Sequence, residues 1–481
     1  MVRASDPPQA LIVGSGPNGL AAAIVLAHAG WHVTVQEAKG TIGGSVSSAE
    51  LTIPGFTHDV CSSVYPLAAG SPFFRTLPLI RFGLTWTHPE IPLAHPLDNE
   101  SAIVLSRSVD ETTERLGQDR SVYRRLIGPL AERWDELAND ILAPPQFPSS
   151  PLLIARFAAV AALPASTLAK RVFAGRAARA LIAGLAVHSA RPLGAPLTSA
   201  FALLMAAAGH AVGWPFASGG ASRLAESLAS HARHTGVEIE TNAPVVSLQP
   251  PGAVRAVLCD LMPQHVGRIA MDVLPPAYRR SLARFQYGPG AFKLDWALAG
   301  PIPWRAEACQ RAGTLHLGGT FEEIAQAEYD VARGHHPDRP FVLLAQPSVC
   351  DPSRAPRGRH TAWAYCHVPN GSTVDMTARI ERQIERFAPG FQDLILARHS
   401  MAPEALEAHN PNLVGGDPTG GASTLRQTVA RPTWRHYRTP APWLYLCSAA
   451  TPPGGGVHGM CGYHAAQAVL RDMGDAERPR R

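Results

Sequence analysis

The residues with the clearest chemistry stand near the two ends of the chain. Gly14-Ser15-Gly16-Pro17-Asn18-Gly19 spaces three glycines as Gly-x-Gly-x-x-Gly, and Glu37 follows 23 residues after Gly14. Each glycine in such a turn has its own task. Gly14 makes the tight turn, Gly16 lets the backbone approach a pyrophosphate, and Gly19 lets a helix pack on a strand. The helix that starts here turns free N–H groups and a partial positive charge toward the phosphates. Glu37 is spaced to accept hydrogen bonds from a ribose diol, and an acid there disfavours a 2′-phosphate. Ala38 follows directly. A second glycine pair, Gly43-Gly44, comes next with Ser45, Ser47 and Ser48. It suits a dinucleotide that continues past the first helix, hence FAD rather than NAD. Near the other end, Thr451-Pro-Pro-Gly454-Gly455-Gly456-Val457-His458-Gly459 puts three consecutive glycines ahead of a helix with small residues. The dipole of that helix would stabilise negative charge building on a reduced flavin ring.

Strands and helices must position these groups. Leu11-Ile12-Val13 reads as an apolar strand ending in the glycine turn. An apolar helix follows over 20–27, stopped by Gly30, and a second strand, Val33-Thr34-Val35, ends at Glu37. That order is a parallel βαβ unit. From Pro92 to about Gly213 the chain turns helical and rich in Ala, Leu and Arg, with helices expected over 111–116, 123–138 and 168–187. The 152–163 stretch reads as a buried cap helix, with a membrane-surface helix as the alternative. Gly219-Gly220 opens a helix over 222–235, and Val237, Ile239 and Val245 alternate as in strands. The chain is expected to return here to its first sheet. Further strands are expected over 291–298, 341–345 and 361–368, a helix over 376–387, and a short last strand over 443–447.

At 481 residues the chain exceeds one compact core, so two or three folding units are expected. Hydrophobic content of 46% is ordinary for a soluble globular protein. The longest apolar runs, 180–187 and 200–208, fall short of the roughly 18 residues a spanning helix needs. Met1–Pro8 lacks an apolar leader core. A cytoplasmic location is expected, with contact at the membrane periphery as a further option. The net charge of +5 is small, and no basic run interleaves with aromatics, so no nucleic-acid partner is expected. Seven scattered cysteines without a Cys-x-x-Cys read as free thiols. His335-His336 would point opposite ways on an extended chain, and no metal is expected.

Together these motifs resemble the phytoene desaturase-like FAD-dependent oxidoreductases. The Val13-Gly14-Ser15-Gly16-Pro17-Asn18-Gly19 turn, the Gly43-Gly44 pair, the Asn242-Ala-Pro-Val245 segment and the Thr451–Gly459 loop match in the family's order. The branch is similar to the pyridine-nucleotide-disulphide-oxidoreductase-domain proteins and retinol saturase. The resemblance implies an α/β fold: a glutathione-reductase-type, Rossmann-like FAD domain assembled from residues 1–75, 214–267 and 425–481. It also implies an α+β substrate domain with a helical cap and a lipophilic tunnel, from 76–213 and 268–424. Carried over by position, Gly14, Ser15, Gly16, Pro17, Asn18 and Gly19 would hold the pyrophosphate, and Glu37 with Ala38 the adenosine ribose. Gly43, Gly44 and Ser45 would approach the ribityl region, and the Val245 backbone the adenine. Gly455, Gly456 and Val457 would face the isoalloxazine, and Ser448 is a further cofactor-binding candidate. There are departures. Ser47 stands where the family has Arg, which removes a charge-assisted phosphate bond worth about 1.5–3 kcal/mol. Ser448 stands where Gly is usual. The 250–261 segment looks too short for the hairpin expected after the adenine-contacting strand.

A flavin takes hydride at its own ring, so little side-chain chemistry is required. His458 in the glycine loop is the candidate proton shuttle, with helix capping as its structural alternative. Tyr463 and His464 read as packing; His188, His210 and Trp214 as structural residues or tunnel lining. Lys293 and Asp295 share one strand face and read as a surface ion pair, with a catalytic pair as the alternative. The expectation is desaturation or saturation of a C–C bond in a lipophilic, isoprenoid- or carotenoid-like substrate, with an electron acceptor of unassigned chemistry. The oligomeric state is not specified. Rivals are a flavin amine oxidase, a flavin-dependent isomerase and a non-catalytic flavin-binding interaction protein.

Overall fold

The computed structural model describes residues 7–250 and 252–474. The leaderless reading of Met1–Pro8 therefore falls mostly outside the described residues. The chain opens as expected with β1 (Gln9–Val13), α1 (Pro17–His28) and β2 (His32–Gln36). Asn18 through Leu26 of α1 are buried, so this is a core helix with no polar face. Pro17 takes its first position, where a missing N–H costs nothing. The chain then leaves for β3 (Ile91–Pro96) and β4 (Ala102–Leu105). A helical layer follows: α2 (Arg120–Glu132), α3 (Trp134–Ile141), α4 (Pro151–Ala161), α5 (Ala165–Val172), α6 (Arg176–Ala186) and α7 (Thr198–Ala211). It returns through α8 (Ser222–His234), β5 (Glu238–Glu240) and β6 (Val254–Cys259). It leaves again through β7 (Gly290–Leu298), β8 (Ala312–Leu317), α9 (Phe321–Ala332), β9 (Val342–Ala345), β10 (His360–Val368), α10 (Thr377–Phe387), β11 (Ile395–Met401) and α11 (Pro403–His409). It ends with β12 (Leu444–Leu446) and α12 (Met460–Asp472).

Two sheets result. The first has the order β12-β6-β1-β2-β5, every pairing parallel, so three separate stretches of chain build it. The second, β11-β7-β10-β9-β8-β3-β4, is mixed; only β8 and β3 run parallel. All nine residues of β7 are buried. A buried Arg354 bridges distant segments: Nη1 reaches Asp59 Oδ1 at 3.0 Å and Nε reaches Asp351 Oδ2 at 2.9 Å. Asp59 in turn accepts the N–H of Ala221 (2.7 Å) just ahead of α8.

Several elements differ from the sequence reading. The 168–187 helix is split between α5 and α6, because Asp119 accepts the N–H groups of Ala174 (2.9 Å) and Gly175 (2.7 Å) and draws them out of the helix. The 123–138 helix is likewise split at Arg133. The buried cap helix over 152–163 is not buried. In α4 only Leu153 and Ala161 are, and Leu152 is 86% exposed. Apolar composition alone cannot say which face a helix hides. Val245 does not lie in a strand: β5 ends at Glu240, and residues 241–250 are irregular. Asn242 takes a positive φ of 56°, and Pro244 has no N–H to give a ladder. Among the described residues no hairpin separates β5 from β6. Instead this crossing segment lines a cleft of about 420 Å³ with Leu11, Gln36 and Val257. All seven cysteines are free thiols, and no single described helix is long and apolar enough to cross a membrane.

Candidate functional site

The glycine turn leaves the C-terminal end of β1, the central strand. Gly14 adopts φ +99°, which only glycine holds without strain, and its N–H donates to Gln36 O (2.8 Å). A Cβ on Gly19 would sit 2.1 Å from Gly14 O, so strand and helix touch through backbone alone. Gly16 caps α1 in extended conformation. Ser15 is fully buried and binds Glu37 Oε2 through both N–H (2.9 Å) and hydroxyl (2.6 Å). Glu37 Oε1 accepts the N–H of Lys39 (3.0 Å). Ala38 beside it is exposed. Asn18 is 7% exposed and its Oδ1 has no partner.

The second glycine pair comes back onto the first turn. Gly43 and Gly44 have φ of +106° and +57°, and Gly43 N–H donates to Ser15 O (3.2 Å). A Cβ on Gly44 would lie 3.6 Å from the Gly16 Cα. Ser45 Oγ accepts Asn410 Nδ2 at 2.7 Å. Ser47, in place of the family's Arg, has its hydroxyl 3.3 Å from His409 Nε2. Burial lowers the His409 pKa, and the ammonium groups of Lys39 and Lys293 lower it further. The Lys39 ammonium also bonds the His409 carbonyl, so one cation stands beside the partner of Ser47.

The other glycine loop follows β12, parallel to β1 in the same sheet, so both loops leave the same edge. Gly455 and Gly456 are exposed and Val457 is half-buried, while Ser448 is buried and its hydroxyl accepts the N–H of Ala450 (3.3 Å). A Cβ on Gly455 would lie 1.9 Å from Thr419 O, so the loop is held by close backbone contact. The buried guanidinium of Arg431 donates to Ala449 O (3.1 Å) behind it. His458 is 1% exposed. Its Nδ1 accepts the N–H of Met460, the first residue of α12, at 3.0 Å. Burial lowers its pKa to about 4, against a smaller pull from the carbonyls of Gly454 and Gly455. At neutral pH it is an uncharged cap, with no positive charge to hand over.

Other expected residues sit in the core. Lys293 and Asp295 do not form a surface pair: they are 2% and 0% exposed and are bonded to each other in β7. Asp295 Oδ1 has no hydrogen-bond partner, and His58 and His399 each approach Asp295 to 3.8 Å. Burial lowers His58 to about 4 despite Asp295, and raises Cys61 to about 11. Sequence alternation placed the pair on one face correctly, but the strand is covered on both sides. His188 and Trp214 pack with His316, and His210 bonds the Tyr123 hydroxyl (2.9 Å). Tyr463 packs on Phe73, and His464 reaches Leu142 O (3.2 Å). Sequence reasoning missed Asp260, Asn410 and Asn412. Asp260 follows the apolar run Ala256-Val-Leu-Cys259, and an acid at a strand end was the available signal.

The cradle fits a dinucleotide: glycines that carry no side chain at Gly14, Gly16, Gly19 and Gly44, a ribose-side acid at Glu37, and a buried Asn18 whose side-chain oxygen has no partner. Comparison with known proteins agrees. Residues 12–77 match the model of the NAD(P)-binding Rossmann-like domain. The chain is 26% identical to rat pyridine nucleotide-disulfide oxidoreductase domain-containing protein 2, over 96% of this chain and 93% of the relative. It is 25% identical to hydroxyneurosporene desaturase of Cereibacter sphaeroides, covering 98% and 99%. Among solved structures, an oxidoreductase from Methanosarcina mazei superposes with a TM-score of 0.64 at 15% identity, covering 96% and 100%. Putrescine oxidase does so with 0.62 at 17%, covering 97% and 99%. The chain thus has the Rossmann-type fold of the FAD-dependent oxidoreductases and is related along its length to carotenoid desaturase-like proteins.

Proposed function

We propose that this protein uses FAD to exchange hydride with a C–C bond of a lipophilic, isoprenoid-like substrate. The carrying observation is that two glycine-rich loops, at Gly14–Gly19 and Gly454–Gly456, leave the same edge of one parallel sheet. Ligands bind at that edge in open α/β sheets. When bound, FAD supplies the hydride-accepting ring. The protein's own residues do the rest. Gly14–Gly19 and the α1 N-terminus receive the pyrophosphate, and Glu37 exchanges Ser15 for the ribose. Gly43, Gly44 and Ser45 line the passage to the ring, and Ser448 and Gly455–Val457 border the ring. The Val245 backbone borders the adenine from the crossing segment. His458 fixes the start of α12 as a neutral imidazole. The exposed apolar side chains of α4 offer a route for substrate at a membrane surface.

The purified protein should show flavin bands near about 375 and 450 nm, with FAD released on heating. Anaerobic addition of polyenes or isoprenoids should bleach the upper band, and amines such as putrescine should not. Bleaching by amines alone would move the protein to the amine oxidases. A product of unchanged mass would indicate an isomerase. A colourless protein that takes up no added FAD would remove the enzyme reading.

A further inference from the structure

Asp260 stands at the C-terminal end of β6, against the start of α1. Its N–H donates to Val13 O (2.8 Å) and its carbonyl accepts Asn412 Nδ2 (2.9 Å), so the backbone is fixed from both sides. The side chain is held as well. Oδ2 accepts the N–H of Gly19 at 2.9 Å, and the residue is 7% exposed. A methyl group on Gly16 would lie 2.5 Å from that oxygen. The carboxyl thus occupies the volume above the glycine turn. A pyrophosphate that docks on this helix end must enter the same volume. Donors there are few. Pro17 has none, and Leu20 N–H is bound to Gly16 O (2.9 Å). The N–H groups of Gly16, Asn18 and Gly19 remain, and Asp260 already holds one of the three.

We propose that Asp260 takes up one proton when FAD binds, releases the Gly19 N–H, and donates its new O–H to a phosphate oxygen. The proposal rests on the reading of this cradle as the FAD site. One O–H bond forms, the proton comes from solvent, and no other bond changes. An ionised Asp260 would instead set a like charge against the phosphates inside a buried site, where such repulsion is poorly screened. The proton is available near neutrality: burial raises the Asp260 pKa to about 7, opposed by the Gly19 bond and assisted by Glu37. The other titratable groups facing it are Glu37 at the end of β2, Cys259 in β6, Cys447 after β12 and Cys461 in α12. Burial raises Cys259 to about 12, Cys461 to about 11 and Cys447 well above its usual value, so these thiols stay protonated at neutral pH.

The sign follows from linkage. A proton taken up on binding makes affinity fall as pH rises through the apoprotein value. FAD dissociation constants should be flat below about pH 7 and then rise by up to tenfold per pH unit. Titration calorimetry of the full-length apoprotein with FAD at about pH 8, in two buffers of different ionisation enthalpy, should give an uptake close to one proton. In Asp260→Asn the uptake should vanish, the pH profile should flatten, and binding at the alkaline end should exceed the wild type. No uptake in the wild type would overturn the proposal, whether or not the variant folds; so would an unchanged slope in Asp260→Asn. FAD binding that ignores pH would remove this proposal and leave the flavin reading standing. No FAD binding by the wild type at any pH would remove both.

Discussion

Gly16 and Gly19 share one turn but fail differently when altered, because a side chain opposes one and backbone opposes the other. A methyl at Gly16 meets the carboxyl end of Asp260, which can shift; at Gly19 it meets the Gly14 carbonyl, which cannot. Gly16→Ala should therefore leave thermal stability near wild type and weaken FAD binding by tenfold or more, read from flavin content and titration. Gly19→Ala should lower stability by about 1–3 kcal/mol as well, read from urea denaturation, as overpacking does. Equal melting curves for both variants would contradict this account. At this scale the sequence was most legible where spacing alone carries the chemistry, as at Gly14, Gly16, Gly19 and Glu37. It was least legible where a role depends on what lies opposite. Lys293 and Asp295 read as a surface pair until the distant His58 lies against Asp295 in the fold. Nothing in the sequence near Ser47 shows that His409 lies 3.3 Å away.

Helices and strands with a strong local signature formed where expected: α1, β7, β10 and α10 lie within a residue or a few of their sequence ranges. The errors came from elements whose character is set by distant neighbours. α4 is apolar apart from Arg156 but packs one stripe, Leu153, Ile154, Phe157, Val160 and Ala161, on the cap. It then turns by 92° into α5. Phe147 and Leu152 remain 87% and 86% exposed. Moving one such side chain out of water contributes up to about 1.5–3 kcal/mol. Leu152→Glu should therefore weaken binding to phospholipid vesicles by about tenfold or more, measured by flotation, with flavin content unchanged. A wild type that never floats would remove the membrane-surface role of this helix. The crossing segment failed for the opposite reason: Val245 has a strand-like neighbourhood, but Asn242 and Pro244 forbid pairing.

Across the whole molecule, buried charge ties together pieces far apart in sequence. His367 Nδ1 lies 2.8 Å from Glu328 Oε2, both buried. Burial opposes the charge on His367, but Glu328, with help from Asp417, offsets it, and the pKa is raised. A raised pKa contributes stability that is full below the unfolded value, about 6.5, and is lost as pH rises through the folded value. Glu328→Gln should cost roughly 3 kcal/mol in acid-side urea melts, and the gap to wild type should narrow as pH rises. A gap that widens would reverse the assignment. No local pattern foretold this pair, since β10 and α9 meet only in the finished fold. The order of the first sheet has a last consequence, in time rather than space. β12 pairs with β6, and Gly462 of α12 packs so tightly on α1 that a methyl there would lie 1.8 Å from Asn18 O. A ribosome making about 5–20 residues each second reaches β12 some tens of seconds after β1. Throughout that interval the nascent chain shows an open strand edge and a bare apolar helix face. The second glycine-rich loop joins the first only once β12 and α12 have been made.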